Sequence, residues 1–309
     1  PTCLTINHPA QSTEEERRQL EQKISATFKG RVLPQGSIQV PLSGIKGDIR
    51  SWPHYNEGLW WIQDPSATVP ALALKSAFQG QDLSKLHVVD MCAAPGGKTC
   101  QLASFGFSHV TAVEKTQRRG RRLTDNLERT NLRDRCSIVT ADGTTWVPGT
   151  ASSTNDDTTI DDDDTNDVAA MPAAGVLLDV PCSATGTGKK QPNVLRRDKS
   201  LGNNLEVQEK LANHCADSIL DVGGIMVYST CSVLKRESED QVHRLLARPE
   251  GSKLETVPFE PGEIPGFDNA IDENGWLRVL PGCHDDDGDD GINIGGFDGF
   301  FVARLRKVA

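Results

Sequence analysis

The sequence lacks the apolar segments and the paired cysteines that mark several common classes of protein. None of its apolar runs approaches the length of a bilayer-spanning helix, and no apolar core of a secretory signal is present. The eight cysteines include no C-x-x-C pair, which argues against a zinc ribbon and a dithiol redox motif. We therefore expect no metal, no membrane partner and mostly reduced thiols, in the cytoplasm or in a plastid or mitochondrion.

Two well-known nucleotide-binding signatures are also absent. The chain has neither the G-x-G-x-x-G of dinucleotide-binding folds nor the G-x-x-x-x-G-K-[ST] of phosphate-binding loops. Residues 88–99 instead place two glycines, Gly96 and Gly97, between an apolar run and a polar segment. This order predicts a strand, a tight loop and a helix start, whose free N–H groups suit a carboxylate or phosphate. The loop is typical of a nucleotide-like cofactor site, and an ordinary turn is the alternative.

The net charge of −10 is concentrated in two acidic segments. Without their aspartates the rest of the chain is nearly neutral and slightly basic, so the acidic total does not exclude a nucleic-acid partner. The first segment lies in residues 149–174, which are rich in Thr, Asp and Ala, have no apolar periodicity and predict a disordered surface loop. The twelve aspartates are Asp156, Asp157, Asp161, Asp162, Asp163, Asp164, Asp167, Asp285, Asp286, Asp287, Asp289 and Asp290.

Predicted strands alternate with predicted helices after the glycine loop. This alternation predicts an α/β domain with a parallel sheet, helices on both faces and right-handed crossovers. We assign the domain to residues 52–309, with a last edge strand at residues 299–305. The other strands are at residues 110–114, 137–140, 175–180 and 225–228, and the helices between them are at 99–105, 115–131 and 205–220.

Residues 1–51 predict a small α+β module of ferredoxin-like or RRM-like type, with a charged helix at residues 13–26 between two strands. The module either contacts RNA or adds a layer that covers the sheet edge, and the pattern favours neither. The adjacent Trp60 and Trp61 follow it. They could stack on bases, but core anchors are the commoner use of such a pair.

Acids and cysteines follow the predicted strands. Glu114 lies 24 residues beyond Asp90, near the spacing at which a second-strand carboxylate reaches a bound ribose. Asp142, Cys182 and Cys231 come directly after the next three strands. Because the carboxyl ends of parallel strands share one edge of the sheet, these side chains should meet the glycine loop there.

A pair of cysteines at strand ends suits one particular reaction. C5 of a pyrimidine is too weak a nucleophile to be methylated directly, whereas addition of a thiolate at C6 makes C5 enamine-like and reactive. A second group must then remove the C5 proton so that the thiolate can leave. Cys3, Cys100, Cys136 and Cys215 are interpreted as small buried hydrophobic residues.

Three segments of the chain resemble signature motifs of the Sun (Fmu) family of S-adenosylmethionine-dependent RNA cytosine-C5 methyltransferases. They are DMCAAPGGKT at residues 90–99, DVPCSATG at 179–186 and STCSV at 229–233. The resemblance extends over residues 1–307 and is greatest to the bacterial small-subunit rRNA enzymes. It implies a Rossmann-like class I methyltransferase sheet, S-adenosylmethionine as cofactor, and RNA, with rRNA as first choice, as partner of a monomeric protein.

The resemblance also implies roles for individual residues. Glu114 would hold the ribose hydroxyls of the cofactor, Asp142 would lie by its adenine, and Asp179 would lie between cofactor and base and protonate the base near N3. Cys231 would be the nucleophile and Cys182 would help to release the product. The cofactor's methionine part would be surrounded by Cys92, Ala93, Ala94, Pro95, Gly96, Gly97 and Lys98, and Lys98 would also reach the base.

Some features depart from the family pattern. Glu114 stands where an aspartate is usual, and residues 190–195 replace a longer His-Pro-Asp segment. The helical RNA-binding domain of bacterial relatives is missing from this sequence, and the acidic insert is foreign to them, which suggests a eukaryotic, organellar relative.

The target cytosine must be single-stranded or flipped to be reached. The basic residues that we expect to hold backbone phosphates are Lys189, Lys190, Arg196, Arg197 and Lys199.

Other functions remain open at this point. A tRNA cytosine-C5 methyltransferase and a non-catalytic S-adenosylmethionine-binding rRNA assembly factor both fit the cofactor loop. A DNA cytosine methyltransferase is disfavoured because Ser183, not glutamine, follows Cys182 and because the chain has no Glu-Asn-Val motif. A small-molecule methyltransferase would have no use for the two cysteines.

Overall fold

The computed structural model describes residues 2–41, 47–149, 173–196, 201–281 and 297–309. Within these residues the chain forms a small antiparallel sheet near the N-terminus and a larger, mostly parallel sheet after it. The acidic segments predicted at residues 149–174 and 285–290 fall almost wholly outside the described residues. No described helix has the length and apolar composition required to cross a membrane.

The small sheet has the strand order β2-β3-β1-β4. Its helix begins after Thr13, whose hydroxyl accepts from the Glu16 N–H while the Glu16 carboxylate accepts from the Thr13 N–H. The predicted division at residue 51 stays a prediction; the edge strand of this sheet comes from the segment after it. The elements are β1 (Thr2–Ile6), α1 (Glu14–Phe28), β2 (Arg31–Val32), β3 (Ile38–Val40) and β4 (Trp60–Ile62).

The two adjacent tryptophans of β4 are core residues. Trp60 is fully buried, with its ring against those of Phe28, Trp52 and Tyr55. Trp61 is buried on the opposite face and donates its indole N–H to Gln63 Oε1 at 2.7 Å. Successive strand residues point to opposite faces, so Trp60 packs in the core of the small module and Trp61 packs against the larger domain. A base-stacking role is thereby excluded for Trp60, whereas Trp61 borders a cavity at the glycine loop.

The larger sheet has the order β10-β12-β9-β8-β5-β6-β7, with β11 also paired to β12. Strands β5 to β9 are parallel and helices cover both faces, which confirms the predicted α/β architecture. The elements are α2 (Pro65–Ser76), β5 (His87–Met91), α3 (Gly97–Phe105), β6 (His109–Glu114), α4 (Gln117–Arg129), β7 (Cys136–Thr140), β8 (Ala173–Asp179), α5 (Leu201–His214), β9 (Leu220–Thr230), α6 (Glu239–Ala247), β10 (Leu254–Thr256), β11 (Leu277–Val279) and β12 (Phe300–Lys307).

Two predictions about this sheet were wrong. The last strand is not an edge strand, because β12 pairs with β9 on one side and with β10 and β11 on the other. Its residues are buried almost throughout, as an interior strand requires. The helix predicted at residues 205–220 is present, since α5 continues as a π-helical segment to Ile219, but Leu220 already pairs with Ala173 in the sheet. The strand predicted at 225–228 therefore begins five residues earlier.

Candidate active site

The carboxyl ends of the central strands bring the chemically reactive residues together. In the parallel register Asp179 of β8 lies beside Ser229 of β9, so the loops that follow these strands leave the sheet side by side. Cys182 lies in the first loop and Cys231 in the second, and their Sγ atoms are 3.4 Å apart. The structure thus places both cysteines at the edge where the sequence predicts them.

Backbone contacts fix the two loops to each other. Gly186 donates its N–H to the carbonyl of Cys231 at 2.9 Å, and the Gly299 N–H is bonded to the Gly186 carbonyl at 2.9 Å. The hydroxyls of Ser183 and Ser232, which follow the two cysteines, are 3.2 Å apart. The distance between the thiols is therefore set by a network that joins three segments far apart in sequence.

The two thiols do not share a proton equally. The hydrogen bond from Cys231 lowers the pKa of Cys182, against the effect of burial, and Thr230 and the Ala184 backbone act in the same direction. The same bond, together with burial and the charge of Cys182, raises the pKa of Cys231, while Lys98 opposes this. When the pair loses one proton, the negative charge rests on Cys182 and the Cys231 thiol donates to it.

A buried ion pair lies next to the cysteines. Lys98 Nζ is 2.7 Å from Asp179 Oδ2, and the Ser229 hydroxyl donates to Asp179 Oδ1 at 3.2 Å. Burial disfavours the charged amine, but the charge and hydrogen bond of Asp179 outweigh it and raise the pKa of Lys98. The ammonium also lies 5.4 Å from the ring centre of Phe300. The arrangement offers a hydrogen-bond donor and a carboxylate side by side.

The glycine loop owes its shape to one of its two glycines. Gly96 has φ of 105°, and a Cβ there would be 2.6 Å from Leu123 Cδ1, so only glycine fits. A Cβ on Gly97, the first residue of α3, would meet Gln63 at an ordinary 3.5 Å. Helix α4 fixes the loop further, since Arg119 donates to the Ala94 carbonyl at 2.7 Å.

A cavity of about 410 Å³ opens between the glycine loop and the small sheet. It is bounded by Cys92, Ala93, Ala94, Pro95, Gly97, Lys98 and Asp179 on the loop side and by Trp61, Gln63 and Asp64 on the other. Cys182, Cys231, Glu114 and Asp142 are not among the residues that line it. The predicted loop residues, except Gly96, thus share one cavity, and the two acids lie at the adjoining strand ends.

These acids fit the ribose and adenine of a nucleoside cofactor. Glu114 is buried at the end of β6, where Arg119 pairs with its carboxylate, yet Oε2 has no hydrogen-bond partner among the described residues. An open, buried acceptor of this kind is what a ribose hydroxyl would fill. Asp142 is bonded to Lys115 at 2.8 Å and to Thr144, which lower its pKa to about 2.

The basic loop after Cys182 is used differently from what the sequence suggests. Lys190 contacts Asp64 and lies 3.1 Å from Asp298, so it bridges the segment before α2 to the segment before β12. It is engaged in ion pairs with two carboxylates of the protein, although its side chain remains exposed. Arg196 is exposed, and Arg197 and Lys199 lie outside the described residues.

Sequence reasoning missed Glu237. This carboxylate is fully buried and accepts from the Ser183 N–H at 2.9 Å, from the Ser183 hydroxyl at 2.5 Å and from Gln208 at 3.2 Å. It therefore holds the residue next to Cys182, and through the Ser183–Ser232 contact also the residue next to Cys231. Glu237 lies six residues after Cys231 in a polar stretch, where nothing in the sequence distinguishes it from exposed glutamates.

We expect Glu237→Ala to lower the rate of reaction at the cysteines about 100-fold and to destabilise the fold by about 3 kcal/mol, because it leaves the buried donors of Ser183 unpaired. Glu237→Gln should recover most of both losses, since its amide oxygen can still accept from the Ser183 N–H. Thiol-dependent RNA adduct formation and urea unfolding measure the two effects. Wild-type behaviour of Glu237→Ala would contradict a positioning role.

Asp90 predicts a pH dependence of stability. Burial raises the pKa of Asp90 to about 7, although the Thr99 hydroxyl donates to it at 2.6 Å. The unfolded chain ionises this carboxyl near its usual value of about 4. Asp90 therefore contributes stability below pH 4 that is lost as the pH rises to 7. Urea unfolding should show Asp90→Asn gaining up to about 4 kcal/mol on wild type between pH 4 and pH 8, unlike the exposed control Asp221→Asn.

The sheet order and the strand-end site define an α/β fold of the methyltransferase type. A structure of a methyltransferase homolog protein from Pyrococcus horikoshii superposes with a TM-score of 0.69 at 22% identity, covering 99% of this chain and 86% of the other. NSun6 from the same organism, solved with SFG, gives a TM-score of 0.61 at 21% identity, covering 89% of this chain and 60% of that one. Both likenesses establish the fold.

The chain belongs to the 16S rRNA methyltransferase RsmB/F family, whose sequence profile matches residues 79–306. It is 30% identical over 267 residues to ribosomal RNA small subunit methyltransferase B of Shewanella oneidensis, covering 84% of this chain and 51% of the relative. The methyltransferase F of Erwinia tasmaniensis is 31% identical over 258 residues, covering 82% and 46%. The chain spans about half the length of these relatives. Membership of this family indicates S-adenosylmethionine as the cofactor, which confirms the expectation from the resemblance.

Proposed function

We propose that the protein methylates C5 of a cytosine in RNA, with small-subunit rRNA as the first-choice substrate, through a covalent bond between a cysteine and C6 of the base. The observation that carries this proposal is the 3.4 Å contact between the Cys182 and Cys231 thiols beside the Lys98–Asp179 ion pair. The names of the curated relatives support rRNA as the partner.

The residues that would hold the cofactor are those of the glycine loop and the two strand-end acids. Residues 92–98 would hold its methionine part, Glu114 its ribose hydroxyls, and Asp142 would lie by the adenine. Bound S-adenosylmethionine would supply an electrophilic methyl group.

Cys231 is the proposed nucleophile. Its thiol proton has an acceptor in Cys182, whose thiolate the pair favours, so transfer across the contact converts Cys231 to the attacking form. The new bond joins Sγ to C6, and the electrons of the C5–C6 double bond make C5 nucleophilic. The Lys98–Asp179 pair would hydrogen-bond the base near N3 and supply the proton that balances the negative charge.

Cys182 is the proposed base for product release. After it has passed the first proton to solvent, its thiolate would remove the proton from the methylated C5. The electrons of that C–H bond re-form the double bond, the bond from Cys231 to C6 breaks with its electrons on the sulfur, and the proton at N3 returns to the Lys98–Asp179 pair. The lowered pKa of Cys182 suits this role, because the group must be unprotonated when the C5 proton leaves.

Bisulfite sequencing of RNA from cells with and without the protein tests the proposal. One or more rRNA cytosines should lose methylation in its absence and regain it with the wild type but not with Cys231→Ala. Loss confined to tRNA would identify a tRNA methyltransferase. Unchanged methylation with defective subunit assembly would identify a non-catalytic assembly factor.

A further inference from the structure

A second cavity, of about 190 Å³, lies between the small sheet with its helix α1 and helices α2 and α3. It is separate from the cavity at the glycine loop, but the two are neighbours. Gln63, which lines the first, donates its amide to Gln101 Oε1 of the second at 2.7 Å. The second cavity therefore lies one hydrogen bond behind the wall of the candidate active site.

Several buried polar atoms in the walls of this second cavity have no hydrogen-bond partner among the described residues. Thr5 Oγ1, His8 Nδ1, Arg17 Nε and Gln35 Nε2 are each buried without a hydrogen-bond partner among the described residues. A buried polar atom of this kind costs about 1–3 kcal/mol unless a ligand or water pairs with it. Two of them, Arg17 Nε and Gln35 Nε2, can only donate, so the missing partner is an acceptor.

The charges that face the cavity point to an anion. Arg17 of α1 and Lys75 of α2 both line it, and within the described part of the chain no carboxylate forms an ion pair with either of them. The one carboxylate in the wall, Glu21, is paired with His8 at 3.2 Å. Burial lowers the pKa of Lys75, and the positive charge of Arg17 lowers it further. The cavity thus carries a net positive charge, from two cations against the single carboxylate of Glu21.

We propose that this cavity binds a phosphate group, held by Arg17 and Lys75 and by the unpaired donors of Gln35 and Thr5. A tetrahedral oxyanion supplies several acceptors at once and neutralises both cations, and bonds from charged donors to phosphate are among the strongest in proteins. The phosphate belongs either to an RNA strand or to a free phosphate compound. The RNA source rests on the proposed function, and there the site would hold the backbone of a strand whose cytosine lies against Cys231.

Lys75→Met tests the site, because methionine keeps an apolar side chain of similar length but removes the amine, which lies 4.7 Å from the ring centre of Phe105. Lys85→Met is the matched control, since it removes an equal charge from an exposed side chain outside the cavity. Inorganic phosphate at ten times its Kd, with chloride at equal ionic strength as reference, should raise the Tm of wild type and Lys85→Met by a few degrees. Lys75→Met should show no such rise, and without phosphate its Tm should equal or exceed that of wild type.

A fluorescent single-stranded RNA identifies the source of the phosphate. If the site holds an RNA backbone, Lys75→Met should bind about tenfold more weakly than Lys85→Met, with a salt dependence smaller by about one ion. If phosphate raises the Tm of wild type but the two variants bind RNA equally, the site holds a free phosphate compound. If Lys75→Met weakens RNA binding but phosphate leaves the Tm of wild type unchanged, the site binds a phosphodiester only as part of a strand. No phosphate effect with equal RNA affinities means that water alone fills the cavity, and the proposal fails. Neither readout requires methylation, so failure of the proposed function would be seen separately.

Discussion

RNA containing 5-fluorocytosine is expected to form a stable covalent adduct with the wild-type protein and none with Cys231→Ala. Fluorine at C5 cannot leave as a proton does, so after methyl transfer to C5 the elimination that would free Cys231 from C6 cannot occur. Removal of the nucleophile should lower methylation of ordinary RNA by about 1,000-fold or more, because no other described thiol lies within bonding distance of the pair. Denaturing gel electrophoresis measures the adduct directly.

Cys182→Ala should behave in the opposite way. Attack by Cys231 should be slower in this variant, because its thiol loses the proton acceptor, but no group then removes the C5 proton, so an adduct with ordinary RNA should accumulate and turn over slowly. The control is Cys136→Ala, which removes a buried thiol at the amino end of β7, away from the strand ends that carry the site. Trapping that survives Cys231→Ala and vanishes with Cys182→Ala would reverse the two roles. The lowered pKa of Cys182 makes that reversal a real alternative.

Gly186→Ala is expected to abolish adduct formation and to lower the free energy of unfolding by about 1–3 kcal/mol. A Cβ at this position would be 2.2 Å from the Gly299 carbonyl oxygen and 2.7 Å from that of Cys231. Both obstacles are backbone atoms, so the clash is relieved only if the loops move apart. Such movement breaks the Gly186–Cys231 hydrogen bond that fixes the separation of the thiols.

Gly202→Ala is the control for this substitution. Gly202 lies exposed in α5 with nothing within 4 Å of its added Cβ, and alanine in a helix should stabilise it by about 0.5–1 kcal/mol. Adduct formation is measured well below the Tm of each variant, so that unfolding does not contribute. Equal behaviour of the two variants would show that the close approach at Gly186 does not position the cysteines.

The glycine loop could be predicted from local sequence alone. A strand, two glycines and a helix start specify a turn whose geometry depends on neighbouring residues, and the structure has it as β5, the Gly96 turn and α3. The convergence of Cys182 and Cys231 was likewise predictable, because parallel strands fix which loops share an edge. Membership of the RsmB/F family follows from the same motifs.

Other features depended on contacts that no local pattern records. The interior position of β12 depends on the short strands β10 and β11, which have too few residues to show a periodicity. Lys190 looked like a phosphate ligand because its partners, Asp64 and Asp298, lie more than 100 residues away along the chain. A lysine that looks solvated in the sequence can therefore form ion pairs with carboxylates of distant segments.

The sequence by itself determined the alternation of strands and helices, the turn at Gly96 and the identity of the reactive side chains, because each depends on residues adjacent along the chain. Only the tertiary structure decided how close the thiols lie, that Glu237 holds the loop of Cys182, and that Arg17 and Lys75 face one cavity. Each of these features depends on the distance between segments that are separate in the sequence. Such distances are set by how the sheet, the helices and the small module pack together, since packing has no signature in any single stretch of sequence.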